Sequence, residues 1–302
     1  DARADADGLL RDAGLAAETA SAGGGGRVGW FDGAILADLV QRADVEERLR
    51  AALAGDELVL HYQPVVSPDL ARVGAEALVR WQRADGELVP PGSFIPIAER
   101  SDLVIDIGRW ALRTACAQLA AWGDDLDDVF HVSVNLSGRH LLSLTVVDDV
   151  QSALRDAGVD PSRLVVEITE TAHVDDFVLA ADHLGRLRAL GVRIAIDDFG
   201  TGYTSLAHLR QLPADIIKID RSLIVAADGD RAQTRILELV VGAAHALGTT
   251  IVAEGVETHE QLALVRRLGC DHVQGFLTGR PAPVEALDVG PSLDAPAVPD
   301  RA

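Results

Sequence analysis

Six times along this chain a short apolar run ends in a carboxylate, an amide or a lysine: Asn135, Glu167, the pair Asp197-Asp198, Lys218, Glu254 and Gln274. Three of those runs follow helix-like stretches that close in Leu-Gly, at Leu190-Gly191, Leu247-Gly248 and Leu268-Gly269, and Gly158 closes an earlier one. A glycine just past a helix adopts the left-handed C′ conformation at little cost. A chain that repeats helix, glycine, buried strand and polar strand end lays down parallel βα units, so the predicted class is α/β. Closing such strands into a (β/α)8 barrel brings their C-termini to one face. Residues far apart in sequence then meet in one acidic pocket, which reads as an enzyme site for divalent cations.

The 302 residues suffice for one barrel, since such domains commonly occupy about 250 residues. With 47 acidic against 27 basic residues the net charge is −20, which argues against binding a nucleic-acid polymer. A small anionic ligand stays compatible with that charge where bound cations neutralise the pocket. Cys116 and Cys270 are too few and too isolated for a disulfide framework or zinc cluster, which fits a reducing compartment. No apolar run reaches about 18 residues and no signal-peptide pattern opens the chain. The fragment is expected in the cytoplasm, while a longer parent protein can still be membrane-anchored.

Residues 1–32 are too short to bury a core of their own and read as the tail of something upstream. Residues 33–44 are expected to be a linker. Asp44 is then placed to N-cap a helix, with Glu47 at the capping-box position. The strands near 58–62 and 73–81 are separated only by the Ser67-Pro68-Asp69 turn, which predicts a hairpin rather than a helical crossover. A long helix is predicted from Ser101 to Trp122 on the spacing of Val104, Ile107, Ala111, Ala115, Leu119 and Trp122. Six further strands are expected at 129–135, 164–169, 192–197, 215–219, 250–254 and 271–275, making eight in all. Residues 284–302, rich in Pro, Ala and Asp, read as a disordered tail.

Among the polar residues, Glu76 sits mid-strand, either as a core acid paired with Arg80 or as a functional group. Asn135 fits a turn cap equally well. Glu167 lies inside an otherwise buried strand. Asp197-Asp198-Phe199-Gly200-Thr201-Gly202 is the most specific stretch, because adjacent carboxylates ionise together only with cations or donors between them. The segment fails as a dinucleotide fingerprint, and the kinase signature it partly shares has no other member here. Lys218, flanked by isoleucines, must pair with acids and is suited to orient a water. Of Glu254 and Glu257, one reads as ligand or base and the other as a cap for the helix near Thr258. Oxygen donors dominate and the nine histidines lack zinc-site spacing, which favours Mg2+ or Mn2+.

Glu76-Ala77-Leu78-Val79-Arg80-Trp81, Asn135-Leu136-Ser137, Glu167-Ile168-Thr169-Glu170, Asp197 to Tyr203, Lys218-Ile219-Asp220, Glu254-Gly255-Val256-Glu257 and Gln274-Gly275-Phe276 occur in this order. Together they closely resemble the EAL-domain family of cyclic di-GMP phosphodiesterases, over about residues 45–283. The resemblance implies a (β/α)8 TIM-like barrel with the first strand antiparallel, and hydrolysis of cyclic di-GMP to linear pGpG. It implies two cations: Glu76, Asn135, Glu167 and Asp197 resemble the ligands of one, with Asp197 bridging to a second held by Asp198 and Glu254. Lys218 resembles the family's water-orienting lysine, and Lys218, Asp198 and Glu254 are the catalytic group it implies. Gln63, Leu78, Arg80 and Gln274, with Glu76 and Asn135, look like substrate contacts. Glu170 resembles the anchor of the loop carrying Gly200, Thr201 and Gly202. Ca2+ is expected to bind and inhibit, its looser oxygen shell misplacing the reactants.

Residues 1–32 also resemble the end of a GGDEF domain, through Leu9 to Ala16, a Gly-rich turn and Val28 to Asp32. A GGDEF–EAL parent with further sensory domains, and a homodimer formed through the EAL domain, are the corresponding expectations. The alternative function is a receptor that binds cyclic di-GMP without cleaving it. A receptor of that kind is expected to lack one or more cation ligands, and none is missing from this sequence.

Overall fold

The computed structural model describes residues 30–123, 130–169, 176–201 and 213–287, with isolated positions before residue 30. Strands β1 (Leu58–Val66) and β2 (Arg72–Gln82) form the expected hairpin. They are followed by β3 (Leu88–Val89), β4 (His131–Asn135), β5 (Leu164–Thr169), β6 (Arg193–Phe199), β7 (Ile216–Ile219), β8 (Thr250–Ala253) and β9 (His272–Gln274). β2 and β4 to β9 pair in parallel, and β1 closes the barrel antiparallel to both β2 and β9. The eight expected strands are all present. The two-residue β3 is an addition that pairs with the outer end of β2.

Around the barrel lie α1 (Gly33–Ala54), α2 (Ile95–Ala98), α3 (Leu103–Trp122), α4 (Gly138–Leu141), α5 (Val146–Ala157), α6 (Phe177–Ala189), α7 (Arg221–Ala227), α8 (Arg231–Ala246) and α9 (His259–Leu268). Gly158, Gly191, Gly248 and Gly269 all have positive φ, as the helix-ending pattern requires. Among the described residues no helix is long and apolar enough to cross a membrane.

The pleat decides what each strand shows to the barrel interior. One set of alternate residues, including Val132, Val134, Val166, Ile194, Ile196, Ile217, Ile219, Ile251 and Val273, packs against the helices in the main core. The other set faces inward in layers. Val65, Val165, Ala195, Ile216 and Val252 form a compact buried cluster inside the barrel. Two residues further toward the C-terminal face on the same strands stand Gln63, Glu167, Asp197, Lys218 and Glu254. The polar layer therefore rests on an apolar floor, a consequence of the two-residue period alone.

At the opposite rim one device is used twice. Asp215, just before β7, accepts from Ile194 N–H at 3.0 Å and from both Nη2 and Nε of Arg188, in the last turn of α6, at 2.7 and 3.2 Å. Asp271, just before β9, accepts from Ile251 N–H at 2.7 Å and lies 2.8 Å from Nε2 of His245, in the last turn of α8. Each acid so ties the start of its own strand to the preceding strand and to the helix that leads into that preceding strand.

Three local expectations are corrected. Residues 33–44 are helical, because nothing after Gly33 in that stretch breaks a helix; Asp44 lies inside α1 and pairs with Arg48 at 3.0 Å instead of capping. The helix after Glu257 is capped by Thr258 in a capping box with Gln261, and Glu257 pairs with Arg221 at 2.9 Å. Val284–Ala286 form a short 3-10 helix, with Val284 and Leu287 packed on the core, so order extends past residue 284.

Asp215→Ala leaves Ile194 N–H and the Arg188 guanidinium without their acceptor. The expected loss is about 1–3 kcal/mol, the usual cost of a buried donor left unpaired, read as a lower urea midpoint at unchanged slope. An unchanged midpoint would show that the device does not contribute to stability.

Candidate active site

The polar layer converges on one ammonium. Lys218 Nζ donates to Glu167 Oε2 at 2.6 Å and lies 2.7 Å from Glu254 Oε1, 3.3 Å from Glu76 Oε2 and 3.3 Å from Asp197 Oδ1. The lysine and Glu167 are both 2% exposed, so these charges meet with almost no water between them. Asn135 Nδ2 donates to Glu76 Oε1 at 2.6 Å, and Gln274 Nε2 donates to Glu76 Oε2 at 2.7 Å and Gln63 Oε1 at 3.2 Å. Glu76 is thus held by Lys218, Asn135 and Gln274. Arg80 turns its Nη1 to Val79 O at 2.9 Å, so the simple Glu76–Arg80 pair is not formed. Asn135 does not cap the following turn; Ser137 does, accepting from His140 N–H.

Asp197 and Asp198 reach the same pocket through a bulge. Between Ile196 and Phe199 the register of β6 against β7 shifts, so the two aspartates lie opposite Lys218 alone. Adjacent strand residues ordinarily point to opposite faces. Here Asp198 has φ 55°, a left-handed conformation that Asp tolerates better than most residues, and the bulge turns both carboxylates inward. Asp198 N–H donates to Asp197 Oδ1 at 2.8 Å, and Thr201 Oγ1 donates to Asp198 O at 3.0 Å. Gly200, at φ 107°, has no room for a side chain beside Leu223. Glu170 and Gly202 lie outside the described residues.

Two groups of acids can each hold a cation: Glu76, Glu167 and Asp197, and Asp197, Asp198 and Glu254. Within each group the ligand oxygens lie within 4.8 Å of one another. The donors are all oxygens, the set hard cations take. Among the described residues Gln274 Oε1 is buried with no hydrogen-bond partner, a further oxygen left over in this layer. Five carboxylates surround one ammonium, so the residues present suit added positive charge.

The protonation of the cluster reflects the same imbalance. Burial would raise Glu76, but Lys218 and the donors Gln274 and Asn135 outweigh it and hold it below the usual carboxylate range. Burial and the Glu76 charge push Glu167 well above that range. Burial pushes Glu254 up to about 8 against the attraction of Lys218. Asp198 is raised by burial and by the Asp197 charge. Burial disfavours the charged lysine, yet its acids raise Lys218 well above normal and keep it cationic.

Sequence reasoning named Gln274-Gly275-Phe276 but missed how the rest of the turn beyond β9 is bonded. Gln63 Nε2 donates to Gly279 O at 3.0 Å, and Thr278 Oγ1 bonds both ends of Gly275. A Gly-Phe-Leu-Thr-Gly-Arg stretch carries no periodicity that would have singled it out. Gln63, Leu78 and Arg80 share the β1–β2 hairpin, with Gln63 directly opposite Glu76 and Leu78 and Arg80 following Glu76 at two-residue steps.

Residues 46–281 match the EAL domain family. The chain belongs to that family. Relatives of this EAL domain include MucR of Pseudomonas aeruginosa, named a bifunctional diguanylate cyclase/cyclic di-GMP phosphodiesterase, 41% identical over 87% of the chain and 39% of MucR. The cyclic di-GMP phosphodiesterase NbdA of the same organism is 40% identical over 93% of the chain and 36% of its own length. The chain therefore spans well under half of these relatives. Among solved structures, the MucR phosphodiesterase in complex with c-di-GMP superposes with TM-score 0.75 at 42% identity, covering 80% of this chain and 98% of that one. The Xanthomonas citri FimX EAL domain in complex with c-diGMP gives TM-score 0.76 at 26% identity, over 84% and 99%.

Burial raises Glu254 to about 8 and Glu167 well above the usual carboxylate range, so cation binding at neutral pH is expected to release protons. Apparent affinity is expected to rise as pH climbs through 8. Calorimetric titration with Mn2+ in buffers of different ionisation enthalpy reads the released protons. A heat independent of buffer at pH 7 would contradict the protonated state.

Proposed function

We propose that this EAL domain hydrolyses cyclic di-GMP to linear pGpG. The observation that carries the reading is the intact pair of acid groups sharing Asp197, set beside a charged lysine at the strand C-termini of a barrel. A receptor that only bound the nucleotide would have no need of the second group.

In this reading Glu76, Asn135, Glu167 and Asp197 hold one divalent cation, and Asp197, Asp198 and Glu254 hold a second. Mg2+ or Mn2+ held there would lower the pKa of a bound water, offset phosphate charge and stabilise the leaving oxygen. Lys218 keeps its proton and supplies N–H donors that orient the attacking water. Gln63, Leu78 and Arg80 line one side of the mouth, where the Arg80 guanidinium meets a phosphate. Gln274 fixes the Glu76 carboxylate. The water oxygen bonds to phosphorus, one P–O3′ bond breaks, and the products of that step are a 5′-phosphate and a free 3′-hydroxyl on the same linear molecule. Glu170 anchors the loop of Gly200 to Gly202. Ca2+ occupies the same oxygens and inhibits.

Residues 1–32 are the end of a GGDEF-like domain in this reading, and the parent carries the sensory input. The chain also forms a homodimer. Support comes from the outward face of α8, where Ile236 and Leu239 are exposed, Leu239 by 63%, with Val225 of α7 nearby in sequence. A two-fold interface uses the same patch on both partners. Light scattering is expected to give twice the chain mass for the wild type and the monomer mass for Leu239→Glu. A monomeric wild type at high micromolar concentration would refute the dimer.

Purified chain with Mg2+ or Mn2+ should convert cyclic di-GMP to pGpG, followed by chromatography; no product under either ion would sink the phosphodiesterase reading. Asp198→Asn tests the second group most cleanly, since Asn also tolerates the left-handed backbone and only charge is lost. The expected fall in kcat is about a hundredfold or more, with cyclic di-GMP affinity changed far less. Equal losses in binding and turnover, or none in turnover, would make Asp198 a loop residue only.

A further inference from the structure

Asp198 and Glu254 stand at the ends of β6 and β8, the two strands that flank β7. The end of β7 is bonded to both sides. Asp220 N–H donates to Phe199 O at 3.2 Å, and Glu254 N–H donates to Ile219 O at 3.0 Å. The chain then turns at once into α7, whose Asp220 cap accepts from Ser222 N–H at 2.8 Å. The first turn of α7 therefore lies between the loop that follows Asp198 and the loop that follows Glu254.

Two side chains of that turn each occupy the space a glycine leaves. Leu223 lies against Gly200, two residues past Asp198, where a Cβ would collide with its Cδ1. Arg221 lies against Gly255, the residue after Glu254, where a Cβ would stand 2.5 Å from Arg221 Cβ and 2.6 Å from its Cγ. Gly255 has φ 62°, so both space and backbone favour glycine there. Arg221 Nη2 also donates to Glu257 Oε2 at 2.9 Å, and one side chain so touches the loop after Glu254 at two points. The Arg221 side chain is 55% exposed, and an ion pair that open contributes little to stability. What these contacts govern is position.

We propose that Arg221 and Leu223 are positioning residues for the group formed by Asp197, Asp198 and Glu254: the first turn of α7 braces the two loops and sets the separation of the Asp198 and Glu254 backbones. The inference rests on the two-cation reading above and deepens it. The sheet fixes where each acid leaves its strand, and the brace fixes how far apart the exits stand. Glu76, Asn135 and Glu167 lie on β2, β4 and β5, on the far side of β6 from α7, so the other cation group does not share the brace. Small divalent ions hold their oxygens at short, nearly fixed distances, so a slight spreading of two ligand loops weakens binding without unfolding anything.

The test titrates Mn2+ into wild type, Arg221→Ala, Arg221→Lys and Leu223→Ala, counting free ion by electron paramagnetic resonance and recording urea midpoints beside it. Wild type is expected to take two ions. Arg221→Ala and Leu223→Ala should weaken the second ion about fivefold or more and the first less than about twofold, with the coupled signal of neighbouring Mn2+ ions weakening in step. Arg221→Lys keeps the stem over Gly255 and a charge for Glu257, and should recover most of the affinity. The urea midpoint of Arg221→Ala should stay at the wild-type value, since the pair it loses is exposed. Equal weakening of both ions, an unchanged second ion in either alanine variant, or no recovery in Arg221→Lys would overturn the proposal. If wild type takes one ion only, the two-cation reading fails separately. Hydrogen exchange then decides: faster exchange at 198–201 in Leu223→Ala and at 254–257 in Arg221→Ala upholds the brace, and unchanged exchange removes it.

Discussion

One buried ammonium makes this arrangement of acids possible. Five carboxylates project into the upper layer of a barrel, and four of them lie within 3.3 Å of Lys218 Nζ. Unit charges about 4 Å apart interact by roughly 4 kcal/mol at an effective dielectric constant of 20, so uncompensated acids at this spacing would not stay ionised. The cluster resolves the conflict by distributing protons. Glu76 stays ionised among three donors, while Glu167 and Glu254 are drawn toward their protonated forms. Lys218 is thus both the reason the pocket can fold and the measure of how much positive charge it still lacks.

The second determinant is geometrical. A regular strand cannot aim two consecutive side chains at one ligand, and the bulge at Asp197-Asp198 suspends that rule at one point. Left-handed φ at Asp198 is the local cost of joining two acid groups through one shared residue. The same strand shows why a loop would serve less well: Ile194 and Ile196 are locked in the main core just below the bulge, so the aspartates are held by the sheet itself.

The barrel was legible because its signals are short-range and repeated. Glycine after four of the helices, alternation within the strands and polar residues at their ends are written in neighbouring positions. The expected hairpin before the first crossover and the convergence of Asn135, Glu167, Asp197, Lys218, Glu254 and Gln274 followed from them. What escaped depends on partners remote in sequence. Asp44 has the composition of a cap, yet the helix runs through it because nothing after Gly33 in that stretch breaks a helix, and Asp44 pairs with Arg48 on the exposed face. Glu257 was a plausible cap until Thr258 and Gln261 closed the box without it. Glu76 and Arg80 share a strand face at four-residue separation, but Asn135, Lys218 and Gln274 arrive from across the barrel and hold the acid. The bulge at Asp198 leaves no pattern beyond two adjacent acids.

The paired aspartates at the lower rim carry a different lesson. Asp215 and Asp271 each accept from a backbone N–H and meet a helix-borne partner, so at that end of the barrel these acids serve the fold. At the upper end the acids outnumber their partners. An apolar floor of Val65, Val165, Ala195, Ile216 and Val252 insulates one from the other. Robustness and reactivity therefore occupy separate stretches of the same strands, only two residues apart. A lineage of such chains can exchange ligands, loops or rates at the top while the closure of the cylinder beneath is inherited unchanged.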